Sequence, residues 1–138
     1  MFQFVYVSSA VLLFSDEDLK NLLEVSRRRN QECGVTGLLL YVRGNFIQLL
    51  EGRQEDVLAT RARIEADKRH RGIVPLLEGW SEKREFPDWS MGFELVREED
   101  RATLPGLSDF LERNSDPSAQ QSGALKLLEF FRELNVKK

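Results

Sequence analysis

The segment TGLLLYVRGNFIQLLEG, residues 36–52, decides the fold. Two apolar runs, Leu38–Val42 and Phe46–Glu51, flank Arg43-Gly44-Asn45. Glycine followed by asparagine takes positive φ at little cost, so the pair reads as a β-hairpin. Gly34-Val35-Thr36-Gly37 opens its first strand and Gly52 ends its second. Upstream, Phe2–Val7 alternates as a strand does, with Phe2, Phe4, Tyr6 and Ser8 on one face. Between that strand and the hairpin, Ser15 and Asp18 make a capping-box start. Leu19, Leu22, Leu23 and Ser26 then recur at helical spacing, and the helix is expected to end near Asn30. Arg27, Arg28 and Arg29 would complement the negative end of its dipole.

Downstream, residues 54–68 read as a second helix. Ile73–Leu77, with Glu78–Glu82 as its continuation, reads as a fourth strand, where Pro75 marks an edge or a bulge. Pro87 precedes a fifth strand over residues 89–96. The order β-α-β-β-α-β-β predicts an α+β, ferredoxin-like fold, a mostly antiparallel sheet with two helices on one face. The expected division is a unit at residues 1–97 and a C-terminal helical extension at 98–138 that packs on the sheet. The extension holds a short helix near Leu104–Leu111, a polar loop at Asn114–Gly123 and a longer helix at Gly123–Val136. Leu127, Leu128, Phe131 and Leu134 form a stripe on the last, suited to a lid over the open sheet face or to a dimer surface.

Composition narrows the chemistry. The chain has 138 residues, one domain's worth. Its single cysteine, Cys33, closes no internal disulfide and builds no Cys-cluster metal site. Its single histidine, His70, argues against multi-His metal centres and most Ser/Cys–His hydrolases. A net charge of −3 gives no general attraction to nucleic acid or anionic lipid. The longest apolar run, Ala10–Phe14, is far short of the ~20 residues of a membrane span. With no secretory signal pattern either, the expectation is a cytoplasmic protein.

The oddest residue is Gln48, mid-strand among Phe46, Ile47, Leu49 and Leu50. It is either a glutamine on the solvent face of an edge strand or a buried amide that bonds a polar ligand. Tyr6 is either a core tyrosine or a functional phenol, and Ser8 shares its face. Asn30 suits a left-handed helix cap. Trp89, Met91 and Phe93 share a strand face and suit core packing. Arg61, Arg63, Lys68, Arg69, His70 and Arg71 crowd the end of the second helix, as a solvated terminus or as an anion-binding rim. Cys33 reads as a small buried filler.

Together these segments resemble the BLUF family of blue-light sensors. The likeness lies in Tyr6-Val7-Ser8, in Asn30 followed by Gly34-Val35-Thr36-Gly37, and in Phe46-Ile47-Gln48-Leu49-Leu50-Glu51-Gly52. Asp67-Lys68-Arg69-His70 and Phe86-Pro87-Asp88-Trp89-Ser90-Met91 resemble its later motifs. The resemblance covers about residues 2–96 and is closest to short, single-domain members. Arg29 departs from members that carry asparagine beside the Asn30 position. The resemblance implies non-covalently bound FAD and no turnover enzyme. It implies that Tyr6 and Gln48 are photoactive, with electron and proton transfer from Tyr6 and rearrangement of the Gln48 amide. It implies Ser8, Trp89 and Met91 as signal relays. Asn30, Leu22, Phe46, Arg63, Ile64, Asp67 and His70 would hold the cofactor with Tyr6 and Gln48. A downstream signalling protein is the implied partner, with homo-oligomer formation and no role for nucleic acid or membrane. Two alternatives share the fold: an acylphosphatase-like small hydrolase and a colourless regulatory ligand-binding module. Colour separates them, since only the photoreceptor is yellow and shifts red in blue light.

Overall fold

Along the chain run β1 (Phe2–Ala10), α1 (Asp16–Cys33), β2 (Thr36–Val42), β3 (Asn45–Gly52), α2 (Gln54–Ala66), β4 (His70–Trp80), β5 (Gly92–Val96) and α3 (Pro117–Val136). The computed structural model describes residues 1–82, 91–97, 106, 110 and 117–136. Trp89, the expected start of the fifth strand, most of the helix expected near Leu104–Leu111 and the side chain of Leu134 lie outside the described residues.

The sheet order is β4-β1-β3-β2-β5. The first four strands are antiparallel neighbours in the ferredoxin-like order. The fifth joins β2 in parallel, with Leu38 opposite Gly92 and Val42 opposite Val96. The sheet is therefore mixed, and β3 is its central strand. The hairpin forms as expected, but Val42 pairs with Asn45, so the loop is Arg43-Gly44 alone. Their φ values of 52° and 80° make a type I′ turn, so positive φ falls on Arg43 and Gly44 and not on Asn45.

The capping box is present: the Asp18 amide donates to Ser15 Oγ at 3.1 Å, and the Ser15 amide to Asp18 Oδ2 at 3.0 Å. The helix does not stop at Asn30. Gly34 takes the left-handed conformation at φ 70° and donates its amide to the Asn30 carbonyl. Asn30 thus lies in the last turn, which carries no basic residue, and its side chain is buried. Cys33, expected as a buried filler, is only half-buried and donates its thiol to the Arg29 carbonyl at 3.3 Å. The second helix ends at Ala66, two residues early, because Asp67 turns to an extended ψ of 115°. Pro75 lies on an outer strand whose ladder with β1 shifts register between Val5 and Tyr6 and again between Val7 and Ser9. The last helix starts at Pro117, before the expected Gly123, where the fixed φ of proline suits a first turn.

The central strands of the sheet are buried on both faces, while β4 is largely exposed. Phe2, Phe4, Tyr6, Leu39, Phe46 and Leu50 pack with Leu19 and Leu23 of α1 and Val57 of α2. On the opposite face, Val5, Leu38, Leu40, Ile47 and Leu49 pack with Ala124, Leu127, Leu128 and Phe131 of α3. Two-sided burial explains why the hairpin strands are near-continuous apolar runs and do not alternate with polar residues. Leu127 is fully buried, whereas Leu125 on the same helix is 37% exposed. Leu127→Ala is expected to lower stability by about 2–5 kcal/mol in urea unfolding, and Leu125→Ala by less than about 1 kcal/mol.

Candidate functional site

Three elements converge on a cleft above the centre of the sheet. From α1 come Leu22, Ser26 and Asn30, each four residues from the last and so on one helix face. From α2 come Thr60, Arg63 and Ile64. Beneath lie Tyr6 of β1, Leu39 of β2 and Gln48 of β3, in a row across the sheet with Gln48 paired to both of the others. Phe14, Phe46 and His70 close one end, while Asn30 and Met91 lie at the other. The two adjoining chambers open to solvent and share Leu22, Ser26, Gln48, Ile64, Asp67 and Arg69.

Gln48 is 5% exposed, which excludes the solvent-face reading. Its amide is bonded at both ends: the Tyr6 hydroxyl donates to Oε1, and Nε2 donates to Met91 Sδ at 3.5 Å. A thioether can only accept, so the end facing Met91 must be the NH2 group. The carbonyl therefore faces Tyr6, which must donate. Burial, helped by the negative charge of Asp67, pushes the Tyr6 phenol well above its ordinary pKa, so it stays protonated.

His70 joins three elements. The Ile64 carbonyl can only accept, so His70 Nε2 donates to it, at 2.6 Å. Nδ1 lies 2.8 Å from Ser8 Oγ, and the ring meets Phe46 edge-on. Ser8 is thus a partner of His70 rather than a lining residue. At the mouth, Arg69 grips Asp67 through Nε at 2.9 and 3.1 Å, a terminal nitrogen at 2.5 Å and its backbone amide at 3.0 Å. This grip holds the Asp67 carboxyl below its ordinary pKa and raises that of Arg69.

The structure brings Tyr6, Leu22, Asn30, Phe46, Gln48, Arg63, Ile64, Asp67, His70 and Met91 to one cleft. Sequence reasoning missed Phe14, Val25, Ser26, Arg29, Leu39 and Thr60 as lining residues, and the gripping role of Arg69. The spacing Leu22, Ser26, Asn30 held the signal for Ser26. Nothing local marked Phe14, which is drawn in when its amide donates to the Tyr41 hydroxyl at 3.0 Å.

A family model described as "Sensors of blue-light using FAD" matches residues 1–92. The chain belongs to the BLUF family. Photoactivated adenylate cyclase subunit beta of Euglena longa is 34% identical over 109 residues, covering 78% of this chain and 12% of that protein. The blue light- and temperature-regulated antirepressor BluF of Escherichia coli is 40% identical over 74 residues, covering 51% of this chain and 18% of that protein. The dark-state structure of BlrB, a BLUF protein, superposes with a TM-score of 0.72 at 30% identity, covering 91% of this chain and 94% of that one. The chain spans only about a tenth of the length of the photoactivated cyclases it matches. Membership makes the matched region a light sensor that uses FAD and sets aside the hydrolase and colourless-module alternatives. BLUF domains signal to downstream effectors, as the antirepressor and cyclase relatives illustrate. No helix among the described residues is long and apolar enough to cross a membrane.

The cleft fits a flavin ring by its own chemistry: apolar walls at Leu22 and Ile64, and amides at Gln48 and Asn30. The mouth carries a pH dependence. A carboxyl held below its ordinary pKa adds stability that is complete above about pH 4 and fades as pH falls through its folded value. The melting temperature is therefore expected to drop less between pH 6 and pH 3 in Asp67→Asn than in the parent.

Proposed function

We propose that Tyr6, Gln48 and Met91 form the light-driven switch of this sensor and that the cleft between α1 and α2 holds the flavin. The observation that carries this reading is the buried Gln48 amide, bonded to a donor at one end and an acceptor at the other. In this reading Leu22 and Ile64 cover the ring faces, Phe46 lines it, and Asn30 bonds its polar edge. Arg63, Asp67 and His70 lie toward the outer edge and the ribityl chain. Bound there, the flavin supplies absorption of blue light and an excited state that takes up an electron. Tyr6 is the electron-rich ring beside the amide. Loss of an electron makes a phenol a strong acid, and the acceptor for its proton, Gln48 Oε1, is already in place.

Gln48 then turns or tautomerises. A turned amide would set its carbonyl oxygen against the lone pairs of Met91 Sδ, so the amide turns only if Met91 gives way. Displacement of Met91 reaches the backbone directly before β5. The energy at stake is about 1–3 kcal/mol, enough to change a partner's affinity roughly 5–150-fold without unfolding the domain. The proposed recipient is a separate protein in the cytoplasm or another copy of this chain, reached through β5 and the extension at residues 98–138. Trp89, two positions before Met91 in the sequence, is proposed as a second relay, and Ser8 as the link from β1 to His70.

Gln48→Ala is expected to bind flavin and lose the light-induced red shift, read by absorption spectra in dark and blue light; a normal shift overturns the reading. Tyr6→Phe is expected to bind flavin with longer-lived fluorescence and no normal lit state, read by time-resolved emission.

A further inference from the structure

Arg27 is not in the cleft, yet it touches the switch. Its Nε donates to the backbone carbonyl of Met91 at 2.9 Å, a contact between α1 and the residue before β5. The bond is charge-assisted, the stronger kind. The rest of the Arg27 side chain lies in a groove between α1 and β5, with Leu23, Glu24, Phe93 and Leu95. Ser26 faces the cleft that Met91 lines, and Arg27, the next residue, lines the groove, so one turn of α1 borders both.

Among the described residues, two polar contacts locate Met91 within its apolar packing. Its sulfur is held by the Gln48 amide and its carbonyl by Arg27. The first is broken when the amide turns; the second is independent of the amide's orientation. We propose that Arg27 is a positioning residue of the switch: it anchors the Met91 backbone to α1, so that the thioether returns to Gln48 in the dark and is displaced in a fixed direction in the light. This rests on the switch reading given above. Without the anchor, Met91 loses its backbone tie to α1 and rests on core packing and the sulfur contact, so a larger fraction of Met91 leaves Gln48 in the dark.

The chain has two methionines, Met1 and Met91, so carbon-13 labelling of methionine methyls gives two resonances, of which the buried one is Met91. In the parent, Met91 is expected to give one dark line that moves in blue light. In Arg27→Ala the dark line is expected to split or broaden, with the displaced population raised about tenfold, the scale of one lost hydrogen bond to a charged group. The flavin and its red shift are retained, and dark recovery of the Met91 line is altered. Arg27→Gln, which keeps a donor, is expected to restore most of the single line. An unchanged Met91 line in Arg27→Ala, dark and lit, overturns the proposal. So does loss of the red shift itself in that variant, which would make Arg27 part of the cleft. The flavin-free protein separates the two readings: there the substitution still disturbs the Met91 line if Arg27 is an anchor, whether or not the loaded parent responds to light.

Discussion

A primary amide buried in the central strand of a sheet must find both a donor and an acceptor, and most of this architecture answers that need at Gln48. The antiparallel pairing of β1 with β3 puts Tyr6 opposite Gln48 and supplies the donor. The acceptor comes from far along the chain. Met91 reaches Nε2 because β5 lies beside β2 and runs parallel to it, so the residue before β5 arrives next to β3's neighbour. A glutamine held in this way costs little while both bonds exist and several kcal/mol if either end is stranded. Its two orientations are therefore two discrete states, and the thioether discriminates between them because sulfur accepts and never donates.

The cleft depends on what the helices leave open. Leu19 and Leu23 of α1 and Val57 of α2 bury the helices against the sheet. Leu22, Ser26 and Asn30, offset around α1, face Thr60, Arg63 and Ile64 across a gap that no aromatic side chain of the helices fills. The ends are closed by contacts that also fix neighbouring backbone: His70 ties the last turn of α2 to β1, and the Phe14 amide ties the β1–α1 connection to Tyr41. Rigid ends and an open middle give a preformed site, which lowers the ordering cost of binding a flat ligand.

The hairpin, the capping box and the apolar stripes were legible because each depends on residues within a few positions of one another. Gln48 stood out as a polar residue in an apolar run, and it is the residue on which the proposed switch rests, in keeping with the tendency of local inconsistencies to mark functional sites. Its burial was not legible, because nothing local says that β3 is central rather than at an edge. Asn30 was singled out by resemblance while its local role was misjudged: Gly34, not Asn30, ends the helix, and the buried Asn30 side chain lines the cleft. Arg69 and Arg27 were read as charges at helix ends. Their partners, Asp67 two residues away and Met91 sixty-four away, turn them into a clasp and an anchor. A run of basic residues carries no sign of which member will find such a partner.

The alternation of β3 has a further consequence. Phe46, Gln48 and Leu50 face the cleft side, while Ile47 and Leu49 face α3. The sheet is thus a partition one residue thick, with the proposed photochemical cleft on one side and an aliphatic bed on the other. Selection can act on the two sides separately. The odd-numbered positions are free to drift among similar apolar residues and to seat different helices, while the even-numbered ones keep a fixed detector. Sensors built on this plan can change their listeners without rebuilding the part that sees light.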